Sequence, residues 1–179
     1  MPEYAYFAYY DLITRLAREL SDANTSPIHY LEIGTQEGGS ANAAFESHCI
    51  GLAVLVDTWG VEYGGSGRNS PQHVVERLGP DRMRKTLIIT GSSSQVIPTL
   101  LHKFDLIFVD GDHSEVGCLT DMTNCLPLLA PGGVMLVDDQ DHPAHSYIRG
   151  ITDKFAADNQ LSINRHALTF GVAELRKIQ

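Results

Sequence analysis

The chain has 179 residues, of which 43% are hydrophobic and 20% are charged, a composition typical of one globular domain. The formal net charge is -9, so the surface repels nucleic-acid phosphates and favours a small-molecule partner. The N-terminal residues lack the pattern of a signal peptide, and no stretch approaches membrane-spanning length. Three cysteines form neither an even disulfide set nor a CxxC pair, which predicts reduced thiols in a cytoplasmic protein with no membrane partner.

Apolar residues at helical spacing predict a leading helix from about Tyr4 to Ser21, within residues 1–22. Short apolar runs then alternate with helical segments, which predicts one domain over 1–179. Such continuous apolar runs are typical of a mostly parallel α/β sheet covered by helices on both faces. The predicted strands are His29–Ile33, Leu52–Asp57, Thr86–Thr90, Phe104–Asp110, Val134–Asp138, Leu161–His166 and Leu168–Leu175. After the leading helix, the next predicted helix begins near Gly39. The remaining predicted helices cover Pro71–Leu78, Ser94–His102, Val116–Leu129 and Ala144–Asp158.

Acidic residues lie at or beside the ends of four predicted strands, where an open parallel sheet binds its ligands. They are Glu32, Asp57, Asp110 and the pair Asp138 and Asp139. Carboxylates gathered at one edge of a sheet repel one another unless cations or hydrogen-bond donors compensate them. This arrangement predicts a cationic ligand or a metal.

The turn after the first strand, Glu32–Ser40, carries glycines at a spacing that differs from the G-x-G-x-x-G of dinucleotide sites, because Gln36 occupies the second glycine position. Glu32 is also a poor neighbour for a pyrophosphate and a good one for an amino group or a sulfonium. Asp57, about 20 residues further on, can accept both hydroxyls of a ribose, which NAD and S-adenosylmethionine share.

Three short motifs between Tyr30 and Asp139 are informative together. They are Glu32-Ile-Gly-Thr-Gln-Glu-Gly-Gly-Ser40, the acidic Asp57 after the second strand, and Gly91-Ser-Ser93. In these motifs the chain resembles the class I S-adenosylmethionine-dependent methyltransferases, whose Rossmann-like fold has seven strands in the order 3-2-1-4-5-7-6 with strand 7 antiparallel. The resemblance implies that S-adenosylmethionine contacts Glu32, Gly34, Gly38, Ser40, Asp57, Trp59, Gly91, Ser93 and Asp110.

Further motifs narrow the resemblance to the metal-dependent O-methyltransferases. They are Asp57-Thr-Trp-Gly60, Asp110-Gly-Asp-His-Ser114, Leu126-Pro-Leu-Leu-Ala-Pro-Gly-Gly133 and Asp138-Asp139. The pattern is similar to enzymes that methylate sugar hydroxyls of macrolide antibiotics and to cephalosporin-hydroxylase-like proteins. It implies Asp110, Asp138 and Asp139 as ligands of Mg²⁺. The chain departs from the catechol-type enzymes at His113, where they carry a lysine thought to act as base.

The implied chemistry begins with three carboxylates, which suit Mg²⁺ and leave positions for substrate oxygens. Because a metal lowers the pKa of a bound hydroxyl, His113 could remove its proton and the alkoxide could attack the methyl carbon. His113 and Asp110 are therefore the predicted catalytic residues. His142 and His145 remain alternative bases.

The predicted function is Mg²⁺-assisted methyl transfer to a hydroxyl of a small acceptor, such as a sugar or a natural product. The leading helix, the Thr58–Ser70 loop and the segment after Asp139 would hold the acceptor, and a homodimer could complete its site. A hydroxylase-like enzyme, an NAD-dependent oxidoreductase and a catalytically silent binding module remain open, because one fold serves many functions. Asp57 could also be a loop cap, and Asp138-Asp139 a simple turn.

Overall fold

The structure, a computed structural model, describes residues 4–60, 70–168 and 170–178. Seven strands form one sheet in the order β3-β2-β1-β4-β5-β7-β6, in which β7 runs antiparallel to both of its neighbours. This confirms the sheet order expected from the sequence. The strands are β1 Ile28–Ile33, β2 Ile50–Asp57, β3 Thr86–Thr90, β4 Phe104–Val109, β5 Leu129–Val137, β6 Leu161–His166 and β7 Val172–Lys177. The helices are α1 Tyr4–Asn24, α2 Gly39–Glu46, α3 Pro71–Met83, α4 Ser93–Val96, α5 Glu115–Cys125 and α6 Tyr147–Asp158.

The central strands bury side chains on both faces, as their unbroken apolar sequences predict. On β1, Leu31 and Ile33 join a core cluster that includes Met122 of α5. The alternate residue Tyr30 joins a second cluster with Ile13 of α1. The period of two along the strand therefore separates two cores, with helices packed on both faces of the sheet.

The predicted helix Pro71–Leu78 ends where the structure has a break, at Gly79 (φ 70°, ψ 171°), but the prediction missed a second helical segment that takes α3 on to Met83. Pro80 then opens the second segment, since its fixed φ suits the first turn of a helix.

The predicted helix Ser94–His102 is also wrong in extent. Helix α4 ends at Val96 and continues as a 3₁₀ turn over Ile97–Thr99. Pro98 lies in this turn and lacks the N–H that a continuing helix needs. Leu100 is already extended.

Four further boundaries in the second half of the chain differ from the predictions by three residues or more. Helix α5 ends at Cys125 rather than Leu129, a 3₁₀ turn follows, and β5 begins at Leu129 instead of Val134. Helix α6 begins at Tyr147 rather than Ala144, after a 3₁₀ turn. Strand β7 begins at Val172, because the backbone turns between Leu168 and Gly171. Across the described ranges, no helix is both long enough and apolar enough to cross a membrane.

Candidate cofactor and catalytic site

A cleft of about 260 Å³ opens where β1, β2 and β4 end. This is the edge at which open α/β sheets bind ligands. The predicted residues that line it are Gly34, Asp57, Gly91, Ser93, Asp110 and His113. The structure thus brings the glycine loop, the ribose carboxylate, the serine turn and the candidate base to one cavity.

Gly34 is the position where the chain most needs a glycine. Its φ is +86°, and a Cβ there would lie 1.9 Å from the carbonyl oxygen of Asp110. The loop after β1 therefore passes directly against the end of β4. Gly38, with φ 75°, begins α2 as its N-cap. Neither Gly38 nor Ser40 is a lining residue of the cleft.

Glu32 lies in the wall behind this loop, fully buried. Its Oε2 accepts a hydrogen bond of 2.5 Å from the Tyr30 hydroxyl, whereas Oε1 has no hydrogen-bond partner among the residues that the structure describes. Burial raises the pKa of Glu32 to about 8, against the lowering effect of the hydroxyls of Tyr30, Ser40 and Thr35. A carboxyl group in this state favours a nearby donor or cation.

Asp57 is held in one orientation by the backbone. Its Oδ2 accepts from the amide of Gln36 at 2.7 Å, and its Oδ1 accepts from the amide of Trp59 at 2.7 Å. Each carboxylate oxygen keeps a further lone pair for a ligand hydroxyl. The Trp59 indole donates to Thr90 at 3.0 Å and is not a lining residue of the cleft. Trp59 therefore positions Asp57 through its backbone.

The serine turn lies beside Asp57. The amide of Gly91 donates to the Asp57 carbonyl at 3.0 Å, and Ser93 is the first residue of α4. A Cβ on Gly91 would lie 2.9 Å from the Val96 side chain, so a larger residue would press on the short helix. The turn and the ribose carboxylate are therefore adjacent in space.

An acidic cluster surrounds His113 at the other side of the cleft. Its Nε2 lies 3.1 Å from Oδ1 of Asp110 and 3.3 Å from Oδ2 of Asp139. Burial lowers the pKa of His113, but the hydrogen bond and charge of Asp110, together with Asp139 and Asp112, raise it above its ordinary value. Asp139 adopts a positive φ of 58°, which turns its side chain away from the direction of β5.

The carboxyl groups of Asp110 and Asp138 are costly to ionise in this environment. Burial raises the pKa of Asp110, and the charge of Asp139 adds to the effect against the lowering contribution of His113. Burial also raises the pKa of Asp138 well above its usual range, with further contributions from Asp110 and Asp139. A cation bound among them would relieve this cost.

Two more imidazoles reach this cluster from the segment after β5. Among the residues that the structure describes, a group that brings three ligand-type atoms within 4.8 Å of one another consists of His113, Asp139 and His145. The rings of His113 and His145 stack with centroids 5.1 Å apart, and those of His145 and His142 at 4.8 Å. The Tyr147 hydroxyl donates to the His113 carbonyl at 2.7 Å and lies 3.2 Å from Nδ1 of His145.

Among the acidic residues that line the cleft, sequence reasoning gave no role to Asp112 and Asp121. Asp112 accepts from the Ser114 amide at 2.9 Å and shapes the loop before α5. Asp121 is an acidic residue on the apolar face of α5, a signal that the sequence did offer. Most of the predicted Thr58–Ser70 acceptor loop, residues 61–69, lies outside the described residues.

The chain matches known proteins in family and fold. A family described as a methyltransferase domain matches residues 31–140, which is more than half of the chain. The chain therefore belongs to this methyltransferase domain family. Its strand order is that of the Rossmann-like fold expected from the sequence.

A relative of known sequence is an uncharacterized protein of Acanthamoeba polyphaga mimivirus, 25% identical over 135 residues. The match covers 73% of this chain and 60% of the relative, so the chain spans about three fifths of that protein's length.

Three solved structures illustrate the shared fold. The Podospora anserina methyltransferase PaMTH1, bound to S-adenosylhomocysteine, has a TM-score of 0.63 at 19% identity, covering 100% of this chain and 89% of that one. TomG of Streptomyces achromogenes, an O-methyltransferase of tomaymycin synthesis in complex with S-adenosylmethionine, scores 0.70 at 21% identity, covering 95% and 79%. CalS11, a TDP-rhamnose 3'-O-methyltransferase of calicheamicin biosynthesis, scores 0.73 at 15% identity, covering 95% and 79%. At these identities the likeness shows the fold.

Proposed function

We propose that the chain transfers the methyl group of S-adenosylmethionine to a hydroxyl group of a small acceptor, such as a sugar or a natural product. The observation that carries this proposal is a single cleft with Asp57 on one side and His113, flanked by two carboxylates, on the other. A ribose acceptor and a proton acceptor at opposite sides of one cavity suit a reaction between a nucleoside cofactor and a hydroxyl.

The cofactor contacts follow from the geometry of the loop and turn. Asp57 would accept the ribose hydroxyls, and Gly91 and Ser93 would lie beside the adenine. Gly34 would allow the cofactor to approach the backbone. Glu32 behind the loop, protonated in the ligand-free protein because burial raises its pKa to about 8, would become charged only if a nearby cationic group lowered that pKa. Gly38, Ser40 and Trp59 would act by shaping these elements, since they do not line the cleft.

A divalent cation would be held by Asp110, Asp138 and Asp139, the set that the resemblance implies. Burial and neighbouring charges raise the pKa values of Asp110 and Asp138, which supports a bound cation. Of the three carboxylates, Asp139 alone belongs to the group of ligand-type atoms within 4.8 Å of one another in the described residues, and its partners there are His113 and His145. Carboxylate oxygens alone favour Mg²⁺, and the imidazoles of His113 and His145 beside Asp139 extend the range to metals that accept nitrogen. A cation bound here supplies Lewis acidity and lowers the pKa of a hydroxyl on it.

His113 is the residue proposed to take the proton of the acceptor hydroxyl. Asp110 fixes its ring through the 3.1 Å contact at Nε2 and stabilises the imidazolium that forms. If His113 is held as a ligand instead, His142 or His145 would serve as the base, since both stack in the same row of rings. The rest of the protein contributes orientation, which can account for about 7–11 kcal/mol of a transfer barrier.

Calorimetry and methyl-transfer assays test this function. We expect S-adenosylhomocysteine to bind and NAD not to bind, which would exclude the oxidoreductase alternative. Transfer of labelled methyl to a panel of sugar and phenol hydroxyls would exclude the silent module, and product masses would separate methylation from hydroxylation. Methyl transfer that persists after exhaustive chelation would contradict the proposed role of the metal.

The oligomeric state and the cellular compartment of the protein are also part of this proposal. A homodimer could supply the remaining acceptor contacts, and its mass in solution is measurable by light scattering. The three cysteines are free thiols in the structure, which supports a reducing compartment such as the cytoplasm. The net charge of -9 supports a small molecule over a nucleic acid as the partner.

A further inference from the structure

His145 is a histidine of the segment after β5, and the resemblance does not name it as a metal ligand. In the described part of the chain, one of its ring nitrogens lies within 4.8 Å of a ring nitrogen of His113 and of a carboxylate oxygen of Asp139. Asp139 is only 8% exposed, so protein atoms surround most of any cation that it binds. The structure therefore adds a nitrogen to the oxygens available at Asp139.

The ring of His145 is held by contacts on its faces and at one nitrogen. It stacks against His113 and His142, with centroids 5.1 Å and 4.8 Å away. Its Nδ1 lies 3.2 Å from the hydroxyl oxygen of Tyr147, which is within hydrogen-bond distance. A histidine that binds a metal through one nitrogen usually makes such a contact with the other, because the contact fixes the ring. The surroundings of His145 are those of a ligand whose ring is already oriented.

The nitrogens in this row of rings are concentrated at the end near Asp139. The next ring away from Asp139 is His142, whose Nδ1 accepts from the Ala144 amide at 3.2 Å. Beyond it the row ends in Phe170, with its centroid 4.4 Å from that of His142. A ring without nitrogen is therefore sufficient for packing at the far end, whereas the two rings grouped with Asp139 are both imidazoles.

An imidazole changes which cation the carboxylates would hold. Mg²⁺ takes oxygen ligands and dehydrates reluctantly, so a nitrogen beside its carboxylates contributes little to its binding. Zn²⁺, Co²⁺ and other first-row transition-metal dications bind imidazole well and also accept carboxylate oxygens. A site with carboxylates alone suits Mg²⁺, and the same site with one imidazole favours a transition metal.

We propose that His145 is a ligand of the cation bound at Asp139, and that its imidazole makes the site prefer a transition-metal dication over Mg²⁺. This rests on the metal of the proposed function, and it adds one ligand to the carboxylates there. It also removes His145 from the alternative bases, since its nitrogen is used by the metal. His145 is therefore the residue that selects the metal.

Titration calorimetry of the full-length protein with Co²⁺ and with Mg²⁺ tests this assignment. We expect Co²⁺ to bind at least about 10-fold more tightly than Mg²⁺. In His145→Phe, which keeps a ring in the row, the Co²⁺ affinity should fall at least about 10-fold and the Mg²⁺ affinity should stay unchanged. His142→Phe is the matched control, the same change in the next ring, and should keep the preference for Co²⁺.

A second control excludes binding elsewhere on the protein. The nearest ring nitrogens of His102 and His29 lie 2.7 Å apart, far along the chain from the cluster, and two imidazoles so close could take up Co²⁺ by themselves. His102→Gln removes this pair and should leave the measured Co²⁺ affinity unchanged. A loss of the tight Co²⁺ site in this variant would overturn the assignment to His145.

The visible absorption of bound Co²⁺ gives a readout that a merely structural role of His145 would not move. An imidazole nitrogen splits the d orbitals of Co²⁺ more strongly than a carboxylate or water oxygen does. The band of the unmodified protein should therefore lie at a shorter wavelength than the band of His145→Phe, and His142→Phe should match the unmodified protein. Identical bands in all three proteins would overturn the proposal.

The remaining outcomes separate this proposal from the proposed function. If the unmodified protein binds Co²⁺ no more tightly than Mg²⁺, or binds neither ion, the role of His145 is overturned whether or not the variant folds. An unchanged Co²⁺ affinity in a folded His145→Phe protein, checked by circular dichroism, overturns it as well. Binding of S-adenosylhomocysteine and transfer of labelled methyl are measured separately, and their absence would instead contradict the proposed function.

Discussion

The hydroxyl of Tyr30 donates to the buried carboxyl of Glu32 across 2.5 Å, two residues along the same strand. Both side chains are fully buried, and burial raises the pKa of each group. Within the described part of the chain, Oε1 of Glu32 has no hydrogen-bond partner. The pair therefore leaves one carboxyl oxygen unsatisfied in the core behind the glycine loop.

This pair predicts how stability depends on pH in the ligand-free protein. Glu32 has a folded pKa of about 8 against an ordinary value of 4.5. Between these values the unfolded chain has lost the proton that the folded chain keeps, so stability falls as the pH rises, by at most about 1.4 kcal/mol per pH unit. Below 4.5 the contribution is complete, and above about 8 it is lost.

Urea denaturation from pH 4 to 9 measures this effect against Glu32→Gln, which keeps the shape and removes the titration. The variant should lose less stability than the original protein between pH 5 and 8. Parallel curves for the two proteins would show that Glu32 does not hold a proton in the folded state.

Asp57→Ala should weaken binding of S-adenosylhomocysteine at least about 100-fold, since two charge-assisted hydrogen bonds to the ribose are lost. The amides of Gln36 and Trp59 also lose their acceptor, so some stability falls as well. Asp105→Ala is the control, because this carboxylate accepts from the His29 amide and from Asn24 and does not line the cleft. An affinity loss shared equally by both variants would count against the ribose role.

His113→Gln should lower the rate of methyl transfer about 10²–10⁴-fold, the usual contribution of a general base. Affinity for S-adenosylhomocysteine should stay unchanged. His102→Gln is the matched variant, an imidazole paired with His29 at 2.7 Å in another part of the molecule. If turnover in His113→Gln equals that of the control, the base is another residue, and His142→Gln and His145→Gln identify which one.

Gly34→Ala should destabilise the fold by more than about 3 kcal/mol, because strain at positive φ adds to a collision with the Asp110 carbonyl. Gly132→Ala isolates the first effect, since its φ is +76° and no atom of the described residues lies within 4 Å of the added Cβ. It should cost about 1–2 kcal/mol. Chemical denaturation measures both, and similar losses would contradict the tight contact at Gly34.

The strand order and type of the sheet could be predicted from the sequence, because the strands are continuous apolar runs and the helices are amphipathic. Strand β3 has the predicted bounds, and β4 differs by one residue at its end. The boundary between α5 and β5 was missed, since a 3₁₀ turn and the pairing of β5 with β4 decide it. Neither feature has a clear local sequence pattern. The strong local pattern is Pro131-Gly-Gly133, which was expected to end the helix but lies inside β5.

The meeting of Gly34, Asp57, Gly91 and Asp110 in one cleft was predictable, because each lies at or just after the end of a strand in one parallel sheet. Contacts between the segments beyond the strand ends were not predictable. His113 and His145 stack in segments that follow the neighbouring strands β4 and β5, which end side by side. Asp121 of α5 lies against Gly111 in the loop after β4. Such contacts depend on tertiary packing, which periodicity alone does not encode.

The hydrogen bonds of Tyr147 determine which ring nitrogen of neutral His145 carries its proton. Its hydroxyl carries a single hydrogen, which it donates to the His113 carbonyl, so the contact with Nδ1 of His145 must use the hydrogen of the imidazole. Neutral His145 is therefore the Nδ1–H tautomer, and its Nε2 carries a free lone pair. A tyrosine outside the reacting groups thus selects which nitrogen of His145 can bind a proton or a metal.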